Sequence, residues 1–277
     1  YTFVDGLEIR KLLFFKSRST NVLYIKTHKS GSETMVTMFR RFALNYHVSI
    51  ALPVGFVKSR NNLGWPWKFK LDYAYPTNSG RYNILCDHSI FTPDEMEKAM
   101  VPGTVYIASI REPVDHVLSA FYYFDKDKLV KDSDKPFEAF LHDMEKYDRI
   151  FNFKSVKHLC LQKGVSVVHN AQALDLGFPL GFDGDKNEQS NQSYIKKYFK
   201  MISSTFHIPI VLEHFHESLI LMKRVLKWSF KDILFFIRNK TKHKKYNWHP
   251  KIHENVKNWN NIDTLLYRYF NRTLWYH

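Results

Sequence analysis

Short apolar, β-branched runs alternate along this chain with stretches whose apolar residues recur at helical spacing. Runs at Asn21–Lys26, Tyr82–Cys86, Thr104–Ile110 and His207–Leu212 predict four strands. Helical patterns cover Ser32–Asn45, Pro93–Met100, Val114–Phe124, Pro136–Lys146, Tyr147–His158, Ser190–Ile202, His214–Trp228, Phe230–Ile237 and Val256–Phe270. An aromatic-containing loop, Pro53–Gly80, and a loop-rich stretch, Val165–Asp185 with Gly177, Gly181 and Gly184, separate them. Alternation of this kind predicts an α/β fold, a central parallel sheet flanked by helices, with one domain over residues 1–277. Ligands of such sheets bind beyond the strands' carboxyl ends. Lys29, His88, Arg111 and Glu213 all fall at or just past such ends.

Two strand exits carry anion-binding patterns. Lys26-Thr27-His28-Lys29-Ser30-Gly31-Ser32-Glu33-Thr34 joins the first strand to a helix. Such a turn aims unpaired backbone N–H groups at a ligand, and the helix dipole adds positive charge. Lys29 adds a full charge, and Ser30, Ser32 and Thr34 add hydroxyls. The order of residues excludes a Walker A loop, because Lys29 precedes the one glycine, and G-x-G-x-x-G is absent. At the second exit, Arg111-Glu112-Pro113 opens a helix, and Ser119 lies about two helical turns beyond Arg111. A guanidinium and a hydroxyl converging there suit a phosphate.

These patterns resemble the 5′-phosphosulfate loop and the 3′-phosphate motif of sulfotransferases that use 3′-phosphoadenosine 5′-phosphosulfate. Further segments resemble the galactose-3-O-sulfotransferases, the group that includes galactosylceramide sulfotransferase. They are Arg60-Asn61 with Pro66, Tyr82–His88, Val211–Leu219 (VLEHFHESL) and Leu266–Asn271 (LYRYFN). The resemblance runs from about residue 22 to about residue 275. Glu33 departs from the small hydroxyl residue usual there, and a carboxylate beside a polyanion is unfavourable unless it turns away. The resemblance implies a three-layer, P-loop-like sulfotransferase fold. Lys26–Thr34, Arg111 and Ser119 would then hold the donor, and adenosine 3′,5′-bisphosphate would be the product. Lys29 would stabilise the leaving group and His88 would act as general base, since histidine titrates near neutral pH. Trp65, Trp67 and Tyr73 are candidates for a sugar platform, and Glu213 for an acceptor hydroxyl. The acceptor would be a galactose-containing glycan or glycolipid, and the protein a single-pass type II protein of the Golgi lumen whose anchor lies outside this sequence.

Composition adds a net charge of +14, and its densest basic run is Arg238–Lys245. Such charge draws polyanions in general. A basic glycan- or nucleic-acid-binding module without catalysis is therefore the alternative, alongside a sulfotransferase for another glycan or a small alcohol. A kinase is disfavoured by the missing Walker A order, and no nucleic-acid partner is expected. Hydrophobic content of 44% and aromatic content of 16% exclude a disordered chain. No run approaches the roughly 18 apolar residues of a membrane span. Cys86 and Cys160 are open to pairing or to simple burial, and Asn191, Asn239 and Asn271 head glycosylation sequons. His249 and His253 have helical metal-ligand spacing, but Pro250 and the lack of further ligands argue against a metal, and none is expected to be required.

Overall fold

The computed structural model describes residues 2–9, 17–55, 62–130, 133–153, 165–180, 190–236 and 249–277. Arg60, Asn61, Cys160, Gly181, Gly184, Asn239 and the Arg238–Lys245 run lie outside the described residues. Four strands form one parallel sheet: β1 (Val22–Ile25), β2 (Ile84–Leu85), β3 (Val105–Ile110) and β4 (Ile208–Val211), in the order β2-β1-β3-β4. Val22 pairs with Ile84 on one side and Val105 on the other, and Ile107–Ile110 pair with Ile208–Val211. Every side chain of β1 is at most 1% exposed. Successive side chains point to opposite faces, so both faces of the sheet are covered, as the unbroken apolar runs demand.

The helices are α1 (Thr2–Asp5), α2 (Ser32–Tyr46), α3 (Pro93–Ala99), α4 (Pro113–Tyr123), α5 (Pro136–His142), α6 (Met144–Phe153) and α7 (Ala171–Asp175). They continue with α8 (Gln192–Thr205), α9 (Phe215–Leu226), α10 (Phe230–Ile233), α11 (Pro250–Trp259) and α12 (Asn261–Tyr276). Helix α2 buries Met35, Met38, Phe39 and Phe42, spaced to form one stripe against the sheet core. No helix among the described residues is long and apolar enough to cross a membrane.

The strand order reverses beside β1. The chain passes from β1 to β2 on one side and returns to β3 on the other, which opens a crevice at the carboxyl ends of β1 and β3. The structure departs from the sequence expectation at two places that shape this crevice. The loop-rich stretch contains α7, and the single helix expected over Val256–Phe270 is two helices meeting at Asn260. Both departures have one cause. Asp263 accepts from the Gln172 and Ala173 N–H groups (3.2 and 2.7 Å) and caps α7, while the Asn170 Oδ1 accepts from Ile262 and Asp263 N–H (both 3.1 Å) and caps α12. The Asn260 Oδ1 accepts from the Asn170 N–H at 2.6 Å, which fixes the break between α11 and α12.

Burial pushes the Asp263 carboxyl up to about 7, against the pull of the N–H groups it accepts. Between about pH 4 and 7 the folded protein therefore holds a proton that the unfolded chain has lost, so this group's contribution to stability falls as pH rises. The stability of the wild type relative to Asp263→Asn, measured by denaturant unfolding, should decline across that window. Asp263→Ala should cost about 1–3 kcal/mol, the scale for orphaning buried donors. A pH-independent difference would contradict the placement of this carboxylate.

Candidate functional site

The turn after β1 is shaped by two left-handed residues, Lys29 (φ 55°) and Gly31 (φ 76°). A Cβ on Gly31 would lie 2.7 Å from Leu212 Cδ1, and the left-handed φ of 76° favours glycine there in any case. Gly31 is also the N-cap of α2, and no side chain caps that helix. Helix α4 differs. Its N-cap, Glu112, accepts from Val114 and Asp115 N–H (2.7 and 3.1 Å), and its other oxygen faces Lys257 Nζ at 3.3 Å. Of the two helix starts at the crevice, α2 is the one left open to an anion.

The carbonyls of the turn are held from outside. The Arg111 guanidinium donates to the Lys29 carbonyl at 3.2 Å, and His116 Nε2 donates to the His28 carbonyl at 3.1 Å. His116 is fully buried; desolvation, then the nearby Arg111 charge, push its pKa down to about 3, so it stays neutral. Arg111 is itself clamped by Gln172, which accepts from the Arg111 N–H (2.7 Å) and donates to its carbonyl (3.0 Å). The Arg111 Nε is buried and has no hydrogen-bond partner among the described residues.

Lys29 Nζ sits 3.7 Å from the centre of the exposed Tyr123 ring. Partial burial, then repulsion by Arg111, lower its pKa to about 8, with Glu33 pulling the other way. The other turn residues divide into two sets. Thr27 and Ser30 are fully buried and their hydroxyls join Ser109 and Tyr24 in an internal network, with Ser30 Oγ at 2.7 Å from Ser109 Oγ and Tyr24 Oη at 2.7 Å from it. The Ser30 hydroxyl therefore braces the turn instead of facing a ligand. Lys26 is buried and its Nζ pairs with Glu33 Oε1 at 2.7 Å. The unusual acidic residue is thus neutralised from the strand beneath it, and Lys26 offers no uncompensated charge. Ser32 is buried and Thr34 half-buried at the start of α2.

His88 follows β2 and reaches the same crevice. Its ring stacks on His28 with centroids 4.1 Å apart and planes at 16°, and its N–H donates to Asp87 Oδ1 (2.8 Å) while Arg40 holds the other oxygen at 2.7 Å. Behind His28 lies Asp175, 1% exposed. One of its oxygens accepts from the His28 N–H at 2.7 Å and faces His28 Nδ1 at 2.8 Å; the other accepts from the Trp65 indole at 2.7 Å. Trp65 is 3% exposed and packs 4.3 Å from the His28 ring, so it supports the histidines and offers no open platform for a sugar. Trp67 and Tyr73 are half-buried.

Ser119 is buried within α4, and Arg111 is half-buried at the β3 exit. Glu213 Oε1 accepts from the Glu112 N–H at 3.0 Å, and loss of solvent around the carboxylate raises its pKa although the residue's outer side is exposed. Cys86 is buried and free, and its thiol is pushed up to about 12 by burial. Of the sequons, Asn191 spends its Oδ1 capping α8, and Thr273 of the Asn271 site is buried in α12.

A sequence profile described as galactose-3-O-sulfotransferase matches residues 15–277. The chain belongs to the galactose-3-O-sulfotransferase family. It is 31% identical over 258 residues to galactose-3-O-sulfotransferase 2 of Homo sapiens, covering 92% of this chain and 60% of that protein. It is also 28% identical over 270 residues to the galactosylceramide sulfotransferase of Bos taurus, covering 92% and 57%. The chain thus spans about 60% of the length of its relatives.

Four residues of this site carry no motif of their own: His116, Tyr123, Gln172 and Asp175. Helix α7 did leave one trace in the sequence, a helix-favouring Ala-Gln-Ala-Leu stopped by Gly177, whose φ is 81°.

A Lys29 pKa near 8 makes anion binding proton-linked. At pH 8 the free amine is about half charged, and a bound anion completes its protonation, so binding takes up about half a proton. Affinity for sulfate, which does not titrate here, should fall as pH rises above 8 in wild type. In Lys29→Arg it should not. Equal pH dependence in both proteins would remove Lys29 from the anion site.

Proposed function

We propose that this chain transfers a sulfonate group from 3′-phosphoadenosine 5′-phosphosulfate to a hydroxyl of a galactose-containing glycan or glycolipid, at the 3-O position, within the Golgi lumen. The observation that carries this reading is the convergence at the β1/β3 crevice of an uncapped α2 start, the Lys29 ammonium and the Arg111 guanidinium with its buried, unpartnered Nε. Two cationic groups beside a helix start with no side-chain cap suit a ligand with more than one phosphate-like group. The names of the relatives, which specify sulfate transfer to galactose and galactosylceramide, support the acceptor class.

Sulfonate transfer, like phosphoryl transfer, asks a protein mainly for positioning and charge stabilisation. The α2 amides, with Ser32 and Thr34, would hold the 5′ end of the donor. Arg111 would read the 3′-phosphate, with Ser119 as its second partner. The acceptor oxygen forms its bond to sulfur as the bond from sulfur to the nucleotide's phosphate oxygen breaks. Lys29 offsets the charge that develops on that leaving oxygen. His88 takes the hydroxyl proton and returns it to solvent. The buried hydroxyl network under the turn keeps the amides aimed without reorganisation during the reaction.

The direct test is transfer of labelled sulfonate from this donor to galactosyl acceptors, together with titrations of adenosine 3′,5′-bisphosphate and heparin. Transfer with selective bisphosphate binding is expected; heparin binding alone would leave a glycan-binding module. Arg111→Ala should weaken the bisphosphate by about 2–4 kcal/mol and adenosine 5′-phosphate far less. Equal losses would show that Arg111 does not read the 3′-phosphate. His88→Ala should lower kcat by about 10²–10⁴-fold with bisphosphate affinity retained, and wild-type turnover in that variant would exclude His88 as the base.

A further inference from the structure

We propose that Asp175 is a positioning residue for the transfer step. Through His28 it sets the tautomer of the ring on which His88 stacks, and it supplies the negative charge that balances a proton arriving on the histidine pair. The inference rests on the reaction proposed above and adds a residue that no sequence motif marks.

An ionised carboxylate only accepts hydrogen bonds. Asp175 Oδ2 lies 2.8 Å from His28 Nδ1, so Nδ1 carries the proton and Nε2 of the neutral ring is left as the acceptor. The same oxygen takes the His28 N–H at 2.7 Å, so ring and backbone are gripped together. The Trp65 indole holds the second oxygen at 2.7 Å, which stops the carboxylate from rotating away. Asp175 is 1% exposed, and its placement comes from α7, whose Gln172 grips the exit of β3 at Arg111. The carboxylate therefore keeps the histidine pair in register with the Arg111 side of the crevice.

The charges around His28 show why a carboxylate is needed. Lys29 is its neighbour in the turn, Arg111 reaches the Lys29 carbonyl from β3, and His88 stacks on its face from the β2 exit. His116 on α4 is neutral and touches only the His28 carbonyl. Asp87, next to His88, is already paired with Arg40 at 2.7 Å. Asp87 accepts from the backbone N–H of His88, whereas Asp175 is the carboxylate that meets a ring nitrogen of the stacked pair. When the acceptor hydroxyl gives its proton to His88, the imidazolium forms 4.1 Å from the His28 ring, and the Asp175 charge on the far side of that ring offsets it. A carboxylate that orients an imidazole and stabilises its protonated form is an arrangement used on unrelated folds.

The experiment compares wild type, Asp175→Asn and Trp65→Phe in transfer assays across pH, with bisphosphate affinity and thermal midpoint alongside. Asp175→Asn keeps the shape and removes the charge. It should lower kcat about 10–100-fold, the scale for removing a partner that orients an active ring, with a smaller change in donor KM. The acid limb of its pH profile should move to lower pH by about 1–3 units. Trp65→Phe keeps the charge but frees one oxygen of the carboxylate, so it should move that limb less than Asp175→Asn does. An unmoved limb in Asp175→Asn, with lowered thermal midpoint and donor affinity, would make Asp175 a structural strut and overturn the proposal. The tautomer is read independently in wild type from ¹⁵N shifts of the imidazoles, with His28 identified by its loss in His28→Gln. A proton on Nδ1 is expected; a neutral ring protonated on Nε2 would overturn the proposal even if Asp175→Asn failed to fold. Absence of transfer by wild type would sink the reaction and with it the catalytic role of Asp175, and the ¹⁵N result would then decide only whether Asp175 sets the His28 tautomer.

Discussion

Where β1 and β3 part, the chain leaves the sheet in opposite directions, and the polar backbone groups at both exits need partners inside the protein. Four side chains meet that need. Gln172 takes the N–H and carbonyl of Arg111, Asp175 takes the N–H of His28, and His116 and Arg111 take the carbonyls of His28 and Lys29. With these carbonyls drawn toward protein donors, the turn into α2 is fixed at both His28 and Lys29, ahead of the helix start that no side chain caps. The anion site is in this sense the remainder left after the crevice walls have satisfied themselves.

Electrostatics follow the same division. Cations near the crevice that would merely add charge are paired off: Lys26 with Glu33, Lys257 with Glu112, and Arg40 with Asp87. Lys29 and Arg111 face each other's fields instead, and part of the cost appears as the lowered pKa of Lys29. On the proposed reading, a polyanion entering between them would relieve that repulsion, and its affinity would draw on the repulsion between two like charges.

Much of this was legible in the chain itself. β1, α2, β3 and α4 announce themselves because a fully buried parallel strand must be an unbroken apolar run, and because Gly31 and Pro113 mark the turns that follow. What stayed hidden depends on distant partners. Helix α7 is five residues long, too short to show a period, and exists because Asp263 caps it. The break at Asn260 answers to Asn170. Trp65 looked like a free aromatic platform because sequence does not reveal that Asp175, 110 residues away, engages its indole. Ser30 and Lys26 looked like ligand contacts because hydroxyls and amines read alike whether they face a ligand or a buried neighbour.

The mutual capping of α7 and α12 also orders events during synthesis. Asn170 and Asp263 lie 93 residues apart, and each starts the other's helix. β1, β2 and β3 can pair as soon as residue 110 has emerged, but α7 lacks its Asp263 cap until α12 is in place. Closing so long a loop is a late, entropically costly step. Until α12 docks, Gln172 and Asp175 lack the capped helix that presents them to Arg111 and His28, although three of the four strands can already pair. Completion of the crevice is thereby tied to the docking of α12.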